Sequence, residues 1–497
     1  MKISLAQHLN GHRLERPWSA RWSRPAPGRA ARVPGASHND DRTARAAAGP
    51  PPKARRSIRG SALIIVLWIC FGIVSIALYF AQSMSYEMRA ADNRLSGLQA
   101  DEAIAGAARY ASNILANLQI PGLPPDLNSY ERENVAVGDA RFWFIGRSDE
   151  QTATDEPSFG LVDEASKLNL NNVTAAMLEE LPRMTPELAA AIIDWRDADS
   201  TVSDGGAEDD IYQRLNPPYH CKNAPFESID ELRLVYGMDM ETLFGNDANL
   251  NGALDPNEND GDVSPPNDDR NGLLTPGLLE YVTVWSREPV NAHTNVNDQQ
   301  ALATVLQNAL GSSRANQILA QLGGGGAPGG PGGTAQYGNL VEFYLASRMS
   351  RNEFDQVADQ LIATTNTTGY VEGLVNINTA SEAVLQCIPG IGVQYASTVV
   401  AYRLGNATSL QSIAWLVDVI GSEAARQAGP YVTTHSYQFT ADIAAVGHYG
   451  RGYRRVKYVF DDSDGAPRIA YRQDLTHLGW ALGKTAREDL EIAKNNP

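Results

Sequence analysis

The feature that most constrains this chain is an uncharged, apolar stretch near its N-terminus. Residues 61–85 contain no Asp, Glu, Lys or Arg, and residues 62–81 are mostly Leu, Ile, Val, Ala, Phe and Trp. At about 1.5 Å of rise per residue, such a helix is long enough to cross a hydrocarbon core of roughly 30 Å. Arg55, Arg56 and Arg59 precede it, and basic residues beside a span stay in the cytoplasm. The sequence therefore predicts one membrane pass, with the C-terminal bulk outside the cytoplasm.

The helical pattern continues beyond the apolar stretch. Apolar residues recur at helical spacing up to Leu118, no proline occurs between positions 61 and 120, and Pro121 marks a stop. We expect one long helix whose first half contacts lipid or other helices and whose second half packs on a globular domain. A plain signal anchor is the alternative, whereas a secretory signal peptide is disfavoured because the run is too long.

Charge is distributed unevenly along the chain. Residues 1–60 contain 13 Lys and Arg against 3 Asp and Glu, which leaves 28 basic and 55 acidic residues, a net charge near −27, for the rest. The basic segment shows no hydrophobic period and is predicted to be a disordered cytoplasmic leader. The acidic remainder repels nucleic acid and favours cations. Cys70, Cys221 and Cys387 make no disulfide framework, although the last two could pair.

Local patterns predict short strands around a helical middle. We expect strands at 140–145, 159–162, 278–285, 437–446, 454–460 and 468–475, and helices at 173–181, 186–196, 226–236, 299–322 and 340–363. Residues 323–333 are nearly all Gly and Pro and predict a flexible insertion. Lys167-Leu-Asn-Leu-Asn171 and Val375-Asn-Ile-Asn378 each precede a helical pair, which indicates an internal duplication.

The strongest local motif is a calcium loop. Residues 247–258 fit the pattern D-x-[DN]-x-[DN]-G-x₅-E without a mismatch. Calcium requires six to eight oxygen ligands, and the predicted set is Asp247, Asn249, Asn251, the carbonyl of Ala253, Asp255 and a bidentate Glu258. A solvated Asp/Asn loop is the alternative.

Two further acidic segments are weaker cation candidates. Asn267, Asp269 and Asn271 begin a second such pattern, but Leu278 stands where the bidentate acid belongs. The acidic loop between Asp197 and Asp210 could hold another cation or could simply be solvated.

Pro389-Gly-Ile-Gly392, between two predicted helices, is a helix-hairpin-helix pattern. Such a turn can offer backbone N–H groups to a phosphate. The matching turn Pro182-Arg-Met-Thr185 lacks both glycines, the surroundings are acidic, and the predicted topology places the domain outside the cytoplasm. We therefore expect a hairpin that serves packing, and no nucleic-acid partner. No HExxH, GxSxG or Walker lysine motif occurs, so we expect no enzymatic activity.

The chain resembles a known family at several motifs. Arg59-Gly60 followed by Ser61-Ala-Leu-Ile-Ile-Val-Leu-Trp68 is similar to a pilin-like signal that prepilin peptidase cuts between Gly60 and Ser61. Together with Val162-Asp-Glu-Ala-Ser-Lys-Leu-Asn-Leu-Asn171, Trp195-Arg-Asp-Ala-Asp199, Gly206-Ala-Glu-Asp209, Pro218-Tyr219 and Glu231-Leu-Arg-Leu-Val235, it resembles the minor pseudopilin K family of type II secretion systems.

The resemblance implies an α+β fold in which a long, pilin-like N-terminal helix packs on a β-sheet. A large α-helical domain with helix-hairpin-helix-like repeats is inserted between the strands of that sheet. The resemblance also implies Ca²⁺ in that domain, N-terminal methylation, and the inner membrane as location, with the bulk in the periplasm. The implied domains are a leader (1–60), a transmembrane helix (61–85), a pilin-like helix with first strands (86–171), the calcium-loop domain (172–277), a helical continuation (278–374), a second hairpin unit (375–435), C-terminal strands (436–482) and a tail (483–497).

The family's place is the tip of the pseudopilus, with the I and J minor pseudopilins, the H type and the major pseudopilin as partners. Secreted substrates or the outer-membrane channel are further possible contacts. Ordinary pilins carry a glutamate at the fifth mature position, where this chain has Ile65; its absence suits a subunit with nothing assembled above it. A membrane-anchored, DNA-uptake protein that binds nucleic acid and a calcium-dependent adhesin are the alternative functions.

Overall fold

The computed structural model describes residues 59–118, 120–147, 156–323, 336–366 and 369–495. The predicted leader, except its last two residues, and nearly all of the Gly/Pro run lie outside the described residues. The chain divides into two compact units, residues 1–77 and 78–497. The described part of the first unit is helical and its side chains are exposed, with Leu63 at 73% and Trp68 at 74%.

The helix α1 comprises Arg59–Ala116, which confirms the prediction of a single long helix. By length and composition it can cross a membrane, with a mean hydropathy of 2.7 in its most apolar window. In the second unit, the helix turns small residues toward the sheet: Ala100, Ala103, Ala107 and Ala111 are fully buried. Because these side chains are short, the helix axis can approach the sheet closely.

In the part of the chain that the structure describes, six strands form one antiparallel sheet. They are β1 (Val135–Val137), β2 (Ala140–Ile145), β3 (Val162–Asp163), β4 (Gln438–Val446), β5 (Arg454–Asp461) and β6 (Arg468–Asp474). Their order is β1-β2-β4-β5-β6, with β3 also paired to β4. Phe144 lies opposite Ile443 in the register. The sheet thus joins residues from the two ends of the second unit.

The sheet is covered on both faces at its central strand β4, where every residue is buried, whereas the edge strand β6 is largely exposed. Alternation along Ala140–Ile145 sends Phe142 and Phe144 into the core with α1, and Trp143 and Ile145 into a smaller core on the other face. That second core includes Ala481 and Leu482 and is flanked by the helix Gly483–Asn495. The segment predicted as a tail is therefore helical through Asn495.

The segment between β3 and β4 is predominantly helical, and three modules in its described residues share one plan. Module A (168–283), module B (294–362) and module C (375–433) are each closed by two-residue strands that pair in parallel: Leu168–Asn169 with Val282–Thr283, Thr294–Asn295 with Leu361–Ile362, and Val375–Asn376 with Val432–Thr433. A short antiparallel pair of strands, Arg287–Pro289 with Tyr370–Glu372, flanks module B in the sequence.

Each module contains a helical hairpin followed by further short helices. Module A has Ala175–Glu179, Pro186–Arg196, Asp209–Tyr212, the 3₁₀ helix Ile229–Leu234, Met240–Phe244 and Leu278–Tyr281. Module B has Gln299–Leu310, Ser312–Gly323, Leu340–Ser347 and Arg351–Asp355. Module C has Glu382–Gln386, Gly392–Gly405, Ala414–Ile420 and Ser422–Ala428.

An Asn-x-Asn pair marks the start of every module. The first asparagine accepts a hydrogen bond from the backbone N–H of the second: Asn171 to Asn169 (2.9 Å), Asn297 to Asn295 (3.1 Å) and Asn378 to Asn376 (2.9 Å). The second asparagine then donates to a backbone carbonyl further along its module, of Phe226 (3.0 Å), Tyr337 (2.9 Å) or Leu410 (3.0 Å). The predicted duplication is thus confirmed for modules A and C, and module B is a further copy that the sequence analysis missed.

Several predicted boundaries were wrong for identifiable reasons. The predicted strand 278–285 begins as the helix Leu278–Tyr281, and only Val282–Thr283 is extended. The helix 299–322 is interrupted at Gly311, whose φ is +80°, and the helix 340–363 is interrupted at Arg348, in the left-handed region with φ 49°. The helix 226–236 is the short 3₁₀ helix Ile229–Leu234.

Candidate functional site

The predicted calcium loop is a tightly folded turn between two segments of module A. The helix Met240–Phe244 ends at Gly245, where an added Cβ would lie 2.0 Å from the carbonyl oxygen of Thr275. The side chain of Asn246 accepts the N–H of Thr275 at 2.7 Å. Leu250 and Gly252 take positive φ values of 56° and 73°, and the chain thereby reverses within the loop. Five of the six predicted ligand residues, all but Asp255, are buried, with Asn251 and Ala253 at 0% exposure.

The acidic side chains turn inward onto their own backbone. Asp247 accepts the N–H groups of Asn251 (3.0 Å) and Gly252 (2.9 Å), and Glu258 accepts those of Asn249 (3.3 Å) and Asp255 (3.0 Å). The Oδ1 atom of Asn249 is buried and has no hydrogen-bond partner among the described residues. Such an oxygen, beside two buried carboxylates, is suited to contact a hard cation.

The electrostatics of the loop also fit a cation. Burial raises the pKa of Glu258 to about 8, and the Asp247 carboxylate adds to that rise. Burial raises the pKa of Asp247 to about 6, although Arg147 opposes the shift. Burial likewise raises the pKa of Asp255. A divalent ion would offset this repulsion and desolvation, so the residues present fit Ca²⁺.

The acidic loop after the helix Pro186–Arg196 forms a second cluster. Asp197, Asp199 and Glu208 each offer a carboxylate oxygen, and these atoms lie within 4.8 Å of one another. Both carboxylate oxygens of Glu208 and the Oδ1 atoms of Asp197 and Asn223 are buried without a hydrogen-bond partner among the described residues. Burial and neighbouring carboxylates raise the pKa values of Asp197 and Glu208. A carboxylate cluster that includes buried oxygen atoms without partners among the described residues is an arrangement that a cation would satisfy.

The other weak candidate receives no such support. Asn267, Asp269 and Asn271 are all exposed. Asp269 accepts a hydrogen bond from the side chain of Asn271 at 2.9 Å, which is an ordinary turn contact.

The glycine turn of module C serves packing. At Gly390, with φ +84°, an added Cβ would lie 2.3 Å from the carbonyl oxygen of Ala424 in the helix Ser422–Ala428. The N–H groups of Ile391 and Gly392 already donate to the carbonyl of Ile388, at 3.1 and 3.0 Å. Residues 371–433 contain two Lys or Arg against four Asp or Glu. One of the two cations, Arg403, is buried and donates to the carbonyls of Ile377 and Ala380. These features do not make a phosphate-binding surface.

The remaining predicted site residues lie along α1 or are buried cysteines. Gly60 and Ser61 belong to the helix, and Ile65 is 58% exposed. Cys221 and Cys387 are buried and are not bonded to each other. The roles expected of Gly60, Ser61 and Ile65 stay predictions.

Two arginines that contact the calcium loop were missed. Arg455 and Arg147 both donate to the carbonyl of Leu250, at 2.8 and 3.2 Å. For Arg455, the available signal was a charged residue within the predicted strand 454–460, at a position whose side chain is buried. For Arg147 the sequence carried no signal.

Comparisons with known proteins agree with this architecture. Residues 164–244 match the model of "Type II secretion system (T2SS), protein K", and residues 371–433 match a helix-hairpin-helix motif model. The chain is 30% identical over 197 residues to the type II secretion system protein K of Pectobacterium carotovorum subsp. carotovorum, covering 37% of this chain and 59% of the relative. It is 30% identical over 193 residues to that of Klebsiella pneumoniae, covering 36% of this chain and 58% of the relative.

The chain thus spans less than two thirds of the length of the curated relatives that it matches. A solved structure of a GspK-GspI-GspJ complex from enterotoxigenic Escherichia coli aligns with 81% of this chain and 98% of that chain. Its 12% identity and TM-score of 0.32 are too low to establish a shared arrangement. The family matches confirm the resemblance to protein K and the α+β class with a helix-hairpin-helix unit.

Proposed function

We propose that this protein is a minor pseudopilin of a type II secretion system, located at the tip of the pseudopilus. The observation that carries the proposal is the match of residues 164–244 to the protein K model. That range contains the Asp197, Asp199 and Glu208 cluster and lies between strands of a sheet that packs on a long helix. The part in protein export that we propose is structural and non-enzymatic, and the similarity to protein K supports it.

The N-terminal helix supplies the membrane attachment in this proposal. Prepilin peptidase cuts between Gly60 and Ser61, the new amine is methylated, and the helix joins those of the I, J and H minor pseudopilins and the major pseudopilin. The basic residues before the cut remain in the cytoplasm, so the second unit lies in the periplasm. Ile65 offers no carboxylate to a neighbouring amine, which suits the terminal subunit.

Mass spectrometry and co-purification test this assignment. We expect a mature N-terminus at Ser61, methylated, and co-purification with co-expressed I and J type pseudopilins. The Gly60→Val variant should retain the leader, while the matched Gly72→Val variant, at an open position within the helix, should be cut normally. A chain that keeps Met1, or stays alone in the bilayer beside its co-expressed partners, would contradict the assignment.

We further propose that module A binds Ca²⁺ in the loop 247–258 and at the cluster of Asp197, Asp199 and Glu208. When bound, the metal neutralises the buried carboxylates and so stiffens the module. Protein ligands for it are the three carboxylates and two asparagines of the loop, the Ala253 carbonyl, and the carboxylates of the cluster. Support comes from the buried oxygen atoms without partners at both places.

Calorimetric titration of the full chain in detergent micelles tests both sites. Glu258→Gln should weaken calcium binding at the loop at least about tenfold, whereas Asp269→Asn, in the exposed neighbouring turn, should not. Glu208→Gln should stabilise the protein in chelator, because it removes an unpaired buried charge, and destabilise it relative to the parent in excess Ca²⁺. Calcium binding that is unaffected by Glu258→Gln would refute the loop site.

A DNA-uptake role, the alternative function, would use the helix-hairpin-helix unit of residues 371–433, but it is disfavoured. The glycine turn packs on its own module, and the family matches favour secretion.

A further inference from the structure

We infer that Arg455, a residue of the sheet, is a positioning residue for the calcium loop 247–258. The cation affinity of module A and the packing of the pilin-like sheet are then coupled through one guanidinium group. This inference rests on the proposal that the loop binds Ca²⁺.

The guanidinium group of Arg455 connects the sheet to the loop. Its side chain is fully buried in β5, and its Nε and Nη2 atoms donate to the two carboxylate oxygens of Asp442 in β4, at 2.9 and 2.6 Å. The same group donates to the carbonyl of Leu250 at 2.8 Å and to that of Asn249. The Asp442 carboxylate therefore orients the guanidinium so that it holds two consecutive peptide groups of the loop.

These two peptide groups connect two proposed ligands. The peptide bonds on either side of Leu250 join it to Asn249 and Asn251, so their orientation sets where both side chains point. Leu250 has φ 56°, in the left-handed region that is unfavourable for a residue with a Cβ. Hydrogen bonds from Arg455 to the carbonyls of Asn249 and Leu250 offset that cost, and Arg147 holds the Leu250 carbonyl in addition, at 3.2 Å.

The C-terminal segment orients the ligand side chains from another direction. The Nδ2 atom of Asn249 donates to the carbonyl of Trp480 at 3.1 Å, and that of Asn251 donates to the carbonyl of Ala481 at 3.4 Å. Ala481 belongs to the small core on the face of the sheet away from α1. The Nδ2 atom of Asn249 also donates to Asp255 at 2.6 Å, and the buried Oδ1 atom of Asn249 has no partner within the described part of the chain.

Groups that orient metal ligands in this way affect affinity strongly. Substituting such an outer-shell partner weakens metal binding about 10–100-fold in characterised sites. Because linkage is reciprocal, Ca²⁺ bound in the loop should in turn strengthen the contacts between Arg455 and the loop by the same factor by which those contacts strengthen calcium binding. The inserted module and the sheet would respond to calcium together.

The test compares adjacent arginines of one strand that point to opposite faces. Calcium affinity is measured by calorimetry on the full chain in detergent micelles, with Glu208→Gln in all samples so that the other cluster is silent. Arg455→Met should weaken binding at the loop at least about tenfold. Arg454→Met removes the contact to Asp101 of α1 (3.4 Å) and the hydrogen bond to the carbonyl of Tyr453 (3.0 Å), and it should leave calcium binding at the loop unchanged.

A second variant guards against misfolding, since Arg455→Met leaves the Asp442 carboxylate buried without its partner. Arg455→Met combined with Asp442→Leu replaces the pair by apolar groups, a change that is often neutral for stability. This double variant should show the same loss of affinity, together with a smaller rise in unfolding temperature on adding Ca²⁺. If Arg455 were merely structural, apo and calcium-bound forms would lose stability equally and the affinity would not change.

The outcomes separate the two proposals. A parent chain that binds no Ca²⁺ at the loop refutes the metal proposal, and this inference with it. A parent that binds, with a double variant that binds equally well, overturns the inference alone.

Discussion

The buried carboxylate of Asp163 gives a prediction whose size follows from the structure. Asp163 is 6% exposed at the end of β3 and accepts hydrogen bonds from the N–H of Ala165 (2.8 Å) and the hydroxyls of Ser436 (2.6 Å) and Thr379. It therefore joins the sheet to module C. Burial raises its pKa to about 6 from 3.8, although the hydroxyl donors oppose the shift.

The sign of the effect follows from proton linkage. Between pH 3.8 and 6 the folded chain keeps a proton at Asp163 that the unfolded chain has lost, so stability is highest at low pH and falls as pH rises through this window. At about 1.4 kcal/mol per pKa unit, the full penalty is about 3 kcal/mol, of which about 2 kcal/mol develops between pH 4.5 and 7. Asp163→Asn cannot ionise and should lack this dependence.

Urea unfolding of the full chain in detergent micelles and excess Ca²⁺, followed by tryptophan fluorescence, measures the effect. The free energy of unfolding of the parent minus that of Asp163→Asn should fall by about 2 kcal/mol from pH 4.5 to 7, because other titrating groups cancel in the difference. The exposed Asp269→Asn control should stay within about 0.5 kcal/mol of the parent. A difference that is flat or rises with pH would show that Asp163 is not the desolvated acid described above.

The remaining predictions concern the modules. Gly390→Ala should destabilise the chain by about 3 kcal/mol, since the new Cβ meets the Ala424 carbonyl at 2.3 Å. The control Gly392→Ala, at a position where no described atom lies within 4 Å of the new Cβ, should cost about 1 kcal/mol from its positive φ alone. Equal losses of the two variants in urea unfolding would contradict the packing role of Gly390. Asn297→Ala should destabilise module B by about 2–4 kcal/mol because it frees the N–H and carbonyl of Tyr337. Hydrogen exchange should locate that loss in residues 294–362, and unchanged exchange there would refute the repeat assignment.

Some of the candidate site was accessible from the sequence because its residues are close along the chain. The proposed ligands in the loop 247–258 occupy fixed positions in a twelve-residue pattern, so their convergence needs only one local turn. The charge of the acidic loop is evident from the sequence, but the sequence does not show which of its carboxylates lie close together. Asp197 and Glu208 are brought together by the fold of the intervening loop, whereas Asp204 is exposed.

Module B was missed because its signals are weak individually. Its hairpin has no Pro-Gly turn, and the pair Asn295 and Asn297 resembles any polar loop. The equivalence appears only in the hydrogen bonds, where Asn297 pairs with the N–H and carbonyl of Tyr337 as Asn171 does with those of Phe226. The breaks in the predicted helices were missed for a similar reason, because a single residue at positive φ interrupts a helix despite a favourable hydrophobic pattern.

By itself the sequence predicted an apolar helix long enough to span a membrane, the strands β2 to β6 of the sheet, a calcium-loop pattern and the hairpin of module C, since each depends on a periodicity or spacing within a few turns of chain. The short strand β1 was not predicted. Only the tertiary structure decided that β2 and β4 are neighbours and that three modules share one plan. It also decided that Arg455 contacts a loop some 200 residues earlier in the chain, where it donates to the carbonyl of Leu250 at 2.8 Å. The physical reason is that such contacts depend on which buried surfaces and hydrogen-bond donors find partners across the whole fold, and no local pattern encodes that choice.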